Sequence, residues 1–509
     1  MNFRIVFNLI SYLIALEGLS IALSAGVAAL MHDPVRDVLS LLGCGIFTAL
    51  AGGAGILLTR KKENIKPGLR EGFAVVALGW LLISLFGALP FMAVTGMHWY
   101  DAVFETVSGF STTGASVIGK DLTLMNGKTL PDGIESLSCG ILFWRSLTHW
   151  IGGMGIVVFS LAILPVLGIG GQALYNAEVP GVKTRDDHFT PRIASTAKIL
   201  WLVYLGLTLL ETLLLFFGGM PLFDAICHSF STISTGGFSN KNDSIAFYQS
   251  SYIQLVFIVF MFLGGCNFIL HFRALTGLPL KDYLNEEFRT YALILLGAAL
   301  AAGTCLFFSD LRDPISGDVY FHAPLTSFRA ALFQVVSMST TTGFITADFA
   351  VWPALACVVI LGLMCMGGCG GSTSGGIKCV RIILLWKFSV AELRRSIFPR
   401  VLNNIRLNGE RVMPGVINRV LGFFLIYMFT VFLFMLLLTC CCRMDMLTAL
   451  TASISCLSNC GPAFGALAPD CTFAWLNMPA KLLLALEMLI GRLELYTVLI
   501  FFLPSFWKK

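Results

Sequence analysis

Residues 105–116 read Glu-Thr-Val-Ser-Gly-Phe-Ser-Thr-Thr-Gly-Ala-Ser and lie between two long apolar stretches. The stretch is too short and too polar to cross a bilayer, because a spanning helix needs ~20 apolar residues. We expect a short helix over 101–110 that ends at Ser-Thr-Thr-Gly, where glycine lets the backbone leave the helix. Irregular backbone at membrane depth is tolerated only inside protein or along a wet cavity. Its carbonyl oxygens can replace the water around a cation.

The same pattern recurs three more times along the chain. The other copies begin at Phe223, at Phe328 and near Met446, and they end in Ser-Thr-Gly-Gly, Thr-Thr-Thr-Gly and Ser-Asn-Cys-Gly. The aligned glycines are Gly114, Gly237, Gly343 and Gly461, with spacings of 123, 106 and 118 residues. Self-similarity of this kind dictates architecture. Four such loops can surround one axis and form a pore with pseudo-fourfold symmetry; the alternative is four ordinary polar re-entrant turns without ion specificity.

The composition is typical of a polytopic membrane protein. Of 509 residues, 57% are hydrophobic and only 12% are charged, and the mean hydropathy is +0.83, which excludes a soluble multidomain protein. The 15 cysteines show no paired metal-ligand spacing, and no nucleophile has a plausible base nearby. We therefore expect no enzyme activity, no covalently bound cofactor and no nucleic-acid partner.

The apolar stretches predict ten membrane spans in an all-α fold. Two peripheral spans come first, and four units of span, pore segment and span follow around one pore. The expected spans are 5–31 and 37–59, then 71–97 with 139–167, 197–219 with 252–275, 290–308 with 351–386, and 416–439 with 478–503. The corresponding domains are the N-terminal spans at 1–70 and the repeats at 71–194, 195–287, 288–412 and 413–509.

The distribution of Lys and Arg predicts the orientation in the membrane, since cytoplasmic loops carry an excess of both. The connections on one side carry 21 Lys and Arg residues, in the ranges 60–70, 183–198, 273–289 and 378–419. The other side carries seven, which are Arg36, Lys120, Lys128, Lys241, Arg312, Arg329 and Arg443. The pore segments lie on the poorer side, so we expect them to open outward and both termini to be cytoplasmic.

A glycine-rich loop at 367–376 interrupts the second span of the third repeat. It lacks the Gly-Lys-Ser/Thr ending of a phosphate loop and a preceding strand, so nucleotide binding there is not expected. A span broken at membrane depth must be protected from lipid, so we expect the loop to lie in the pore below the filter that the pore segments form. We interpret it as a gate formed by Gly370, Gly371, Ser372, Thr373, Ser374, Gly375 and Gly376. The alternative is a helix kink with no moving part.

Two further features carry predictions. Residues 405–412 alternate apolar and polar positions around Asn408-Gly409, which predicts a hairpin on the inner face; it either docks a partner or serves only as a solvated basic loop. Charged groups inside spans usually mark function. Arg492 lies between Glu487 and Glu494 in the last span, and Arg145 with His149 is interpreted as a structural pair. Glu105 is expected to brace its helix and not to bind an ion.

These motifs resemble the TrkH/TrkG/KtrB family of potassium-uptake proteins, within the larger group that includes the plant HKT transporters. The resemblance covers nearly the whole chain and is most specific in the four pore segments, in 367–378 and in Gly-Arg-Leu-Glu at 491–494. The two N-terminal spans match the TrkH and TrkG type better than KtrB. The last pore segment, Asn-Cys-Gly-Pro, departs from the pattern, as does Ile345, which replaces a small polar residue.

The resemblance implies a potassium filter, a homodimer with one pore per protomer, and a cytoplasmic nucleotide-binding regulatory ring of the TrkA type. Potassium selectivity goes with glycine in all four repeats, whereas serine in the first marks sodium-selective plant relatives. In the family an arginine at the position of Arg492 reaches toward the glycine-rich loop. The potassium-binding carbonyls would come from Thr112, Thr113, Gly114, Thr235, Gly236, Gly237, Thr341, Thr342, Gly343, Asn459, Cys460 and Gly461.

The expected function is therefore channel-like potassium uptake, down its electrochemical gradient, through a multi-pass protein of a bacterial inner membrane. A sodium-permeable or sodium-coupled transporter of the same fold is the alternative. A membrane-embedded enzyme or scaffold is a rival from another class, and the four repeated pore segments argue against it.

Overall fold

The computed structural model describes residues 1–59, 68–163, 189–275, 277, 283–399 and 404–507. It is a bundle of helices with one small hairpin. The helices are α1 (Phe3–Leu30), α2 (Val35–Thr59), α3 (Leu69–Thr95), α4 (Trp99–Phe110), α5 (Cys139–Ile163), α6 (Phe189–Phe217), α7 (Leu222–Ile233), α8 (Ser251–Gly264), α9 (Phe268–Leu275), α10 (Glu286–Phe307), α11 (Pro324–Ser339), α12 (Ala354–Met366), α13 (Cys379–Ile397), α14 (Pro414–Cys441), α15 (Met446–Ser458), α16 (Met478–Arg492), α17 (Leu495–Leu499) and α18 (Pro504–Trp507). The strands are β1 (Arg406–Leu407) and β2 (Glu410–Arg411).

The first two helices pack closely against each other through small residues. An added Cβ on Gly18 would lie 2.3 Å from the backbone nitrogen of Ala49, and one on Gly52 would lie 2.4 Å from that of Ala15. Close approach of backbones through Gly and Ala is how helices associate in lipid, where apolar side chains gain little from contact with one another. This pair lies outside the repeats, as predicted.

The rest of the chain repeats one unit four times. Each unit has a long helix, a short pore helix, an irregular segment and a second long helix that is often broken. The units are α3–α4–α5, α6–α7–α8/α9, α10–α11–α12/α13 and α14–α15–α16/α17. The predicted all-α class with four repeats and two extra spans is confirmed. The residue boundaries between repeats stay predictions; those at 70/71, 194/195 and 287/288 fall inside helices that begin earlier than expected.

Of the four pore helices, only α15 begins with a side-chain cap. Asp445 accepts hydrogen bonds from the hydroxyl of Thr448 and from its amide at 3.1 Å. The bond from the hydroxyl, together with that from the amide, holds the pKa of Asp445 below its ordinary value. Pro324 opens α11, whose start lies four residues before the predicted Phe328. Proline suits the first turn because its missing N–H has no partner there anyway.

The second long helices are broken more often than the sequence indicated. A break was predicted only in the third repeat, where the glycine-rich loop separates α12 from α13. In the second repeat α8 and α9 meet at a bend of 101°. In the fourth, α16 ends at Arg492, and Glu494 adopts a left-handed φ of +62°. The predicted spans 252–275 and 478–503 are therefore interrupted, because polar and glycine residues at these depths bond to the loop.

Because of these breaks, fewer helices than the ten predicted spans are long enough to cross a membrane. Within the described residues, six helices are long and apolar enough to cross a membrane, or seven if α8 and α9 count as one bent span. The other three predicted spans are α5, α12 with α13, and α16 with α17, which are broken, short or only partly described.

The predicted hairpin is present at 405–412. Strand β1 pairs antiparallel with β2, Arg406 opposite Arg411 and Leu407 opposite Glu410. Asn408 and Gly409 take φ values of +51° and +83°, the left-handed pair that a two-residue hairpin turn requires. Leu407 is buried in the main hydrophobic core, so the hairpin is anchored and is not a free loop.

Candidate functional site

Each pore helix ends in the same unusual backbone path. Two residues before the aligned glycine, φ is +52° at Thr112, +54° at Thr235, +56° at Thr341 and +56° at Asn459. At the glycines φ is +81° in three repeats and +98° at Gly461. A left-handed threonine is uncommon because its Cβ crowds the following carbonyl oxygen. Its recurrence in three repeats, with asparagine in the fourth, means that the four segments share one conformation.

The hydrogen bonds of the four segments repeat as well. The residue before each glycine donates its amide to the carbonyl of a serine six positions before that glycine. The bonds are Thr113 to Ser108 at 2.9 Å, Gly236 to Ser231 at 2.7 Å, Thr342 to Ser337 at 2.9 Å and Cys460 to Ser455 at 2.9 Å. Serine at this position in all four repeats is a signal that the motif comparison missed. The bond turns each segment back onto its own helix.

The four segments close into a ring. A Cβ added to any aligned glycine would lie within 2.6 Å of a carbonyl oxygen of the next repeat. The pairs are Gly114 with Gly236 at 2.1 Å, Gly237 with Thr342 at 2.0 Å, Gly343 with Cys460 at 2.1 Å, and Gly461 with Thr113 at 2.6 Å. Each glycine therefore touches the next repeat, and the fourth touches the first. The aligned glycines are required for two reasons, positive φ and this close approach.

We call the backbone of these twelve residues the carbonyl ring. The members are Thr112, Thr113, Gly114, Thr235, Gly236, Gly237, Thr341, Thr342, Gly343, Asn459, Cys460 and Gly461. All are buried or half-buried, and none of their carbonyl oxygens accepts a hydrogen bond from another described residue. Buried carbonyls are nearly always paired, so these twelve, which have no hydrogen-bond donor among the described residues, are available to accept from water or to coordinate a cation. Four helix C-termini, with their partial negative charge, end at the same ring.

The irregular segment that follows each part of the ring is braced from its pore helix, by a different side chain in each repeat. Glu105 accepts from the amide of Val117 at 3.0 Å, and His228 Nε2 lies 3.0 Å from Ser239 Oγ. In the third repeat Gln334 donates to the carbonyl of Ala347 at 3.3 Å. In the fourth, the hydroxyl of Thr451 accepts from the amide of Phe464 at 3.1 Å. The contacts of Glu105 are those expected of a brace.

Arg145 joins the first and second repeats behind the ring. Its guanidinium donates to Glu105 at 2.7 Å and to the carbonyl of Ser239 at 2.8 Å, and lies 3.5 Å from the centre of the Phe238 ring. His149 stacks on the same ring at 3.9 Å between centroids. The two side chains thus meet at Phe238, which directly follows Gly237. A second buried pair, Lys481 with Asp101 at 2.6 Å, joins the fourth repeat to the first; sequence reasoning missed it.

The glycine-rich loop lies against the helix side of the carbonyl ring and touches three pore helices. The Thr373 hydroxyl donates to the carbonyl of Ile233 at 3.0 Å. The amide of Gly375 donates to the hydroxyl of Thr341 at 2.7 Å. A Cβ on Gly375 would lie 2.0 Å from the carbonyl oxygen of Ser458, so the loop has no room for a side chain there.

Arg492 holds this loop from the fourth repeat. It is 3% exposed and donates to the carbonyl of Thr373 at 2.6 Å and to that of Gly152 at 3.2 Å. The acids on either side of it bond elsewhere: Glu487 accepts from Ser453, and Glu494 pairs with Arg381 on α13 at 2.7 Å. Within the described residues, Arg492 is therefore a buried cation bonded only to carbonyls.

The site contains no arrangement of a resident metal centre in the part of the chain that the structure describes, since no three His, Cys, Asp or Glu side chains are grouped as ligands. The polar atoms that the carbonyl ring offers are backbone oxygens. Such oxygens suit hard cations that pass through without covalent chemistry.

Comparison with known proteins identifies the family. The family model described as TrkH, cation transport protein, matches residues 43–509. The chain belongs to the TrkH family. It is 38% identical to the Trk system potassium uptake protein TrkH of Salmonella typhimurium, over 100% of both chains. It is 36% identical to the Trk system potassium uptake protein TrkG of Escherichia coli, over 99% of both.

A solved relative has the same fold. The crystal structure of the potassium transporter TrkH from Vibrio parahaemolyticus superimposes with a TM-score of 0.86 at 36% identity, over 100% of both chains. The family resemblance stated from the motifs is thereby confirmed. The TrkH family consists of cation transporters, so this member is not an enzyme.

The buried ion pair behind the ring yields a prediction. Changing Arg145→Met leaves the buried Glu105 carboxylate without its cation and removes the donor to Ser239, which should cost about 3–5 kcal/mol. The midpoint of thermal unfolding in detergent should fall clearly below that of Arg443→Met, which removes an exposed arginine. Adding Glu105→Gln to Arg145→Met should recover part of the loss. Equal midpoints for the two single variants would show that the pair contributes nothing.

Proposed function

We propose that this chain is the pore-forming subunit of a bacterial potassium-uptake system, with the carbonyl ring as its selectivity filter. The observation that carries the proposal is the set of twelve carbonyl oxygens that have no hydrogen-bond donor among the described residues and that the four aligned glycines bring into a ring. Potassium uptake by the relatives with TrkH and TrkG names supports the choice of ion. Potassium is the transported substrate and not a resident cofactor.

Conduction needs only substitution of water by protein oxygens. A cation that enters the ring exchanges its hydration shell for carbonyl oxygens from all four repeats, and the four helix C-termini add favourable potential. The braces behind the ring and the serine carbonyls that bind its amides hold the oxygens in place without the ion. Because the exchange is between similar ligands, the ion passes down its electrochemical gradient without a chemical step.

Glycine in every repeat favours potassium as the substrate over sodium. A side chain at Gly114 would press on the Gly236 carbonyl and disturb the oxygen ligands at that junction. Sodium permeation is the second candidate, because the fourth segment contributes Asn459 and Cys460 where the others have Thr or Gly. Backbone oxygens coordinate independently of the side chain, which makes this departure compatible with potassium.

In this proposal the glycine-rich loop and Arg492 form the gate. The residues are Gly370, Gly371, Ser372, Thr373, Ser374, Gly375, Gly376 and Arg492. The loop lies across the helix side of the ring, and a buried guanidinium beside it repels a cation far more strongly than it would in water. Charge-assisted hydrogen bonds from Arg492 to the loop carbonyl hold the blocking state. Opening requires these bonds to break and the loop to retract.

The proposal includes a setting and partners. The protein lies in the bacterial inner membrane with its termini in the cytoplasm, acts as a homodimer, and receives a cytoplasmic nucleotide-binding ring of the TrkA type on the inner face that carries the hairpin. The excess of Lys and Arg in the inner connections supports this orientation. Co-purification from the native membrane tests the partners: recovery of the chain alone, as a monomer, at full regulated flux would contradict them.

The filter assignment predicts the effect of substitutions at the ring glycines. Gly114→Asp and Gly343→Asp should abolish potassium-dependent growth of an uptake-deficient strain, because each side chain would overlap a neighbouring carbonyl. Gly114→Ser should lower the potassium-to-sodium flux ratio in proteoliposomes about tenfold, equivalent to about 1.4 kcal/mol. Gly127 is the control, since it has φ of +75° and no atom within 4 Å of an added Cβ. If its Asp and Ser variants behave like those of Gly114, or all keep wild-type flux and selectivity, the ring is not the filter.

If the glycine-rich loop and Arg492 close the pore, changing either should raise the potassium flux that occurs without a regulatory partner. Deleting 370–375 or changing Arg492→Ala should each raise potassium flux through the purified chain roughly tenfold in single-channel or proteoliposome recordings. The double variant should add little beyond the larger single effect, because both act on one closed state. Arg443→Ala, which removes an exposed charge, is the matched control. Unchanged open probability in both single variants would make the loop a static kink.

A further inference from the structure

Two adjacent carboxylates at the start of α10 bind different parts of the molecule. Glu287 is 2% exposed and accepts a hydrogen bond from the amide of Gly370, in the glycine-rich loop, at 2.8 Å. Glu286 accepts from the amide of Asn408, at the tip of the hairpin, at 3.0 Å. The loop and the hairpin are therefore each bonded to the same turn of one helix.

The bond between the hairpin and α10 is reciprocal. The Asn408 side-chain oxygen accepts from the amide of Glu286 at 2.9 Å, so the hairpin caps a free N–H of the first helical turn. Reciprocal bonds of this kind fix both position and orientation, because neither partner can rotate without losing one of them. The hairpin tip and the start of α10 should thus move together.

A third element completes the connection. Lys387 on α13 forms an ion pair with Glu286 and donates to the carbonyl of Arg406 in the hairpin at 2.7 Å. Helix α13 begins at Cys379, directly after the segment that contains the glycine-rich loop. The hairpin is consequently tied to both flanks of the loop, through Glu287 on one side and through α13 on the other.

We propose that Glu286 and Glu287 form a relay that transmits displacement of the hairpin to the glycine-rich loop. A partner protein that binds the hairpin would pull the start of α10 and α13, and Glu287 would withdraw its carboxylate from Gly370. The inference rests on the proposed function in so far as the loop is the gate. It identifies the surface on which regulation acts and the residues that carry it.

The charge and burial of Glu287 restrict the loop to two states, one with and one without the bond to Gly370. A buried amide that loses a charged acceptor is left unsatisfied, which is costly compared with an exposed bond of the same length. At intermediate positions of the Glu287 carboxylate the Gly370 amide has no acceptor. The loop therefore either keeps its bond to Glu287 or changes to a conformation in which this amide has another acceptor. Small movement of the hairpin is thereby converted into a change of state in the loop.

Hydrogen–deuterium exchange of the full-length chain in detergent, followed by mass spectrometry, tests the relay. The readout is exchange of the peptide that covers 367–378. Glu287→Ala should speed it about tenfold, through loss of a bond to a charged acceptor. Asn408→Ala and Glu286→Gln should also speed it, although neither residue contacts the loop. Glu410→Ala is the matched control on the same hairpin, because the Glu410 side chain is exposed and forms no hydrogen bond or ion pair with another described residue.

The double variant Asn408→Ala with Glu287→Ala separates a relay from general loosening. If the hairpin acts through Glu287, the loop peptide of the double variant should exchange no faster than that of Glu287→Ala alone. The relay would be overturned if Asn408→Ala and Glu286→Gln speed deuterium exchange of the hairpin peptide but leave exchange of the loop peptide at the wild-type rate. Cation flux measured in parallel keeps the two proposals apart: a loop that responds without any change in flux supports the relay and contradicts the gate.

Discussion

Every carbonyl oxygen buried at membrane depth needs a partner, and this constraint shapes the molecule. Helices satisfy their own backbone, but the four segments of the carbonyl ring do not. The amides before the glycines bond back to serine carbonyls of the pore helices, while the ring oxygens have no partner among the described residues. A membrane protein can retain twelve such groups only if a cation or water occupies their place. The repeats, the braces and the close glycine contacts all serve to keep this arrangement.

The four repeats reach one backbone conformation with different side chains. A carboxylate braces the first segment, a histidine the second, an amide the third and a hydroxyl the fourth. What the repeats share is serine six positions before the glycine, the glycine itself and a left-handed residue two positions earlier. The four repeats therefore share the backbone path, while the side chains that support it differ.

The sequence predicts much of this architecture because local patterns carry it. The aligned glycines, the broken third-repeat helix and the Asn408-Gly409 turn all follow from the conformations that these residues favour. The left-handed threonines could not be predicted, since threonine normally avoids that region. The bridge from Arg145 to Ser239 and the Lys481–Asp101 pair join residues 94 and 380 positions apart. Contacts between residues so far apart in the chain cannot be predicted from hydrophobic periodicity. The bend between α8 and α9 likewise depends on contact with the loop of another repeat.

The most direct test of the account is to locate the ion in the ring. Crystals soaked with rubidium or thallium, which substitute for potassium and scatter anomalously, should show peaks on the axis between the carbonyls of Thr113, Gly236, Thr342 and Cys460. Gly127→Ser crystals should keep these peaks, and Gly114→Ser crystals should lose or displace them. Anomalous peaks confined to other parts of the protein, with the ring unoccupied in a preparation that still transports potassium, would contradict the account.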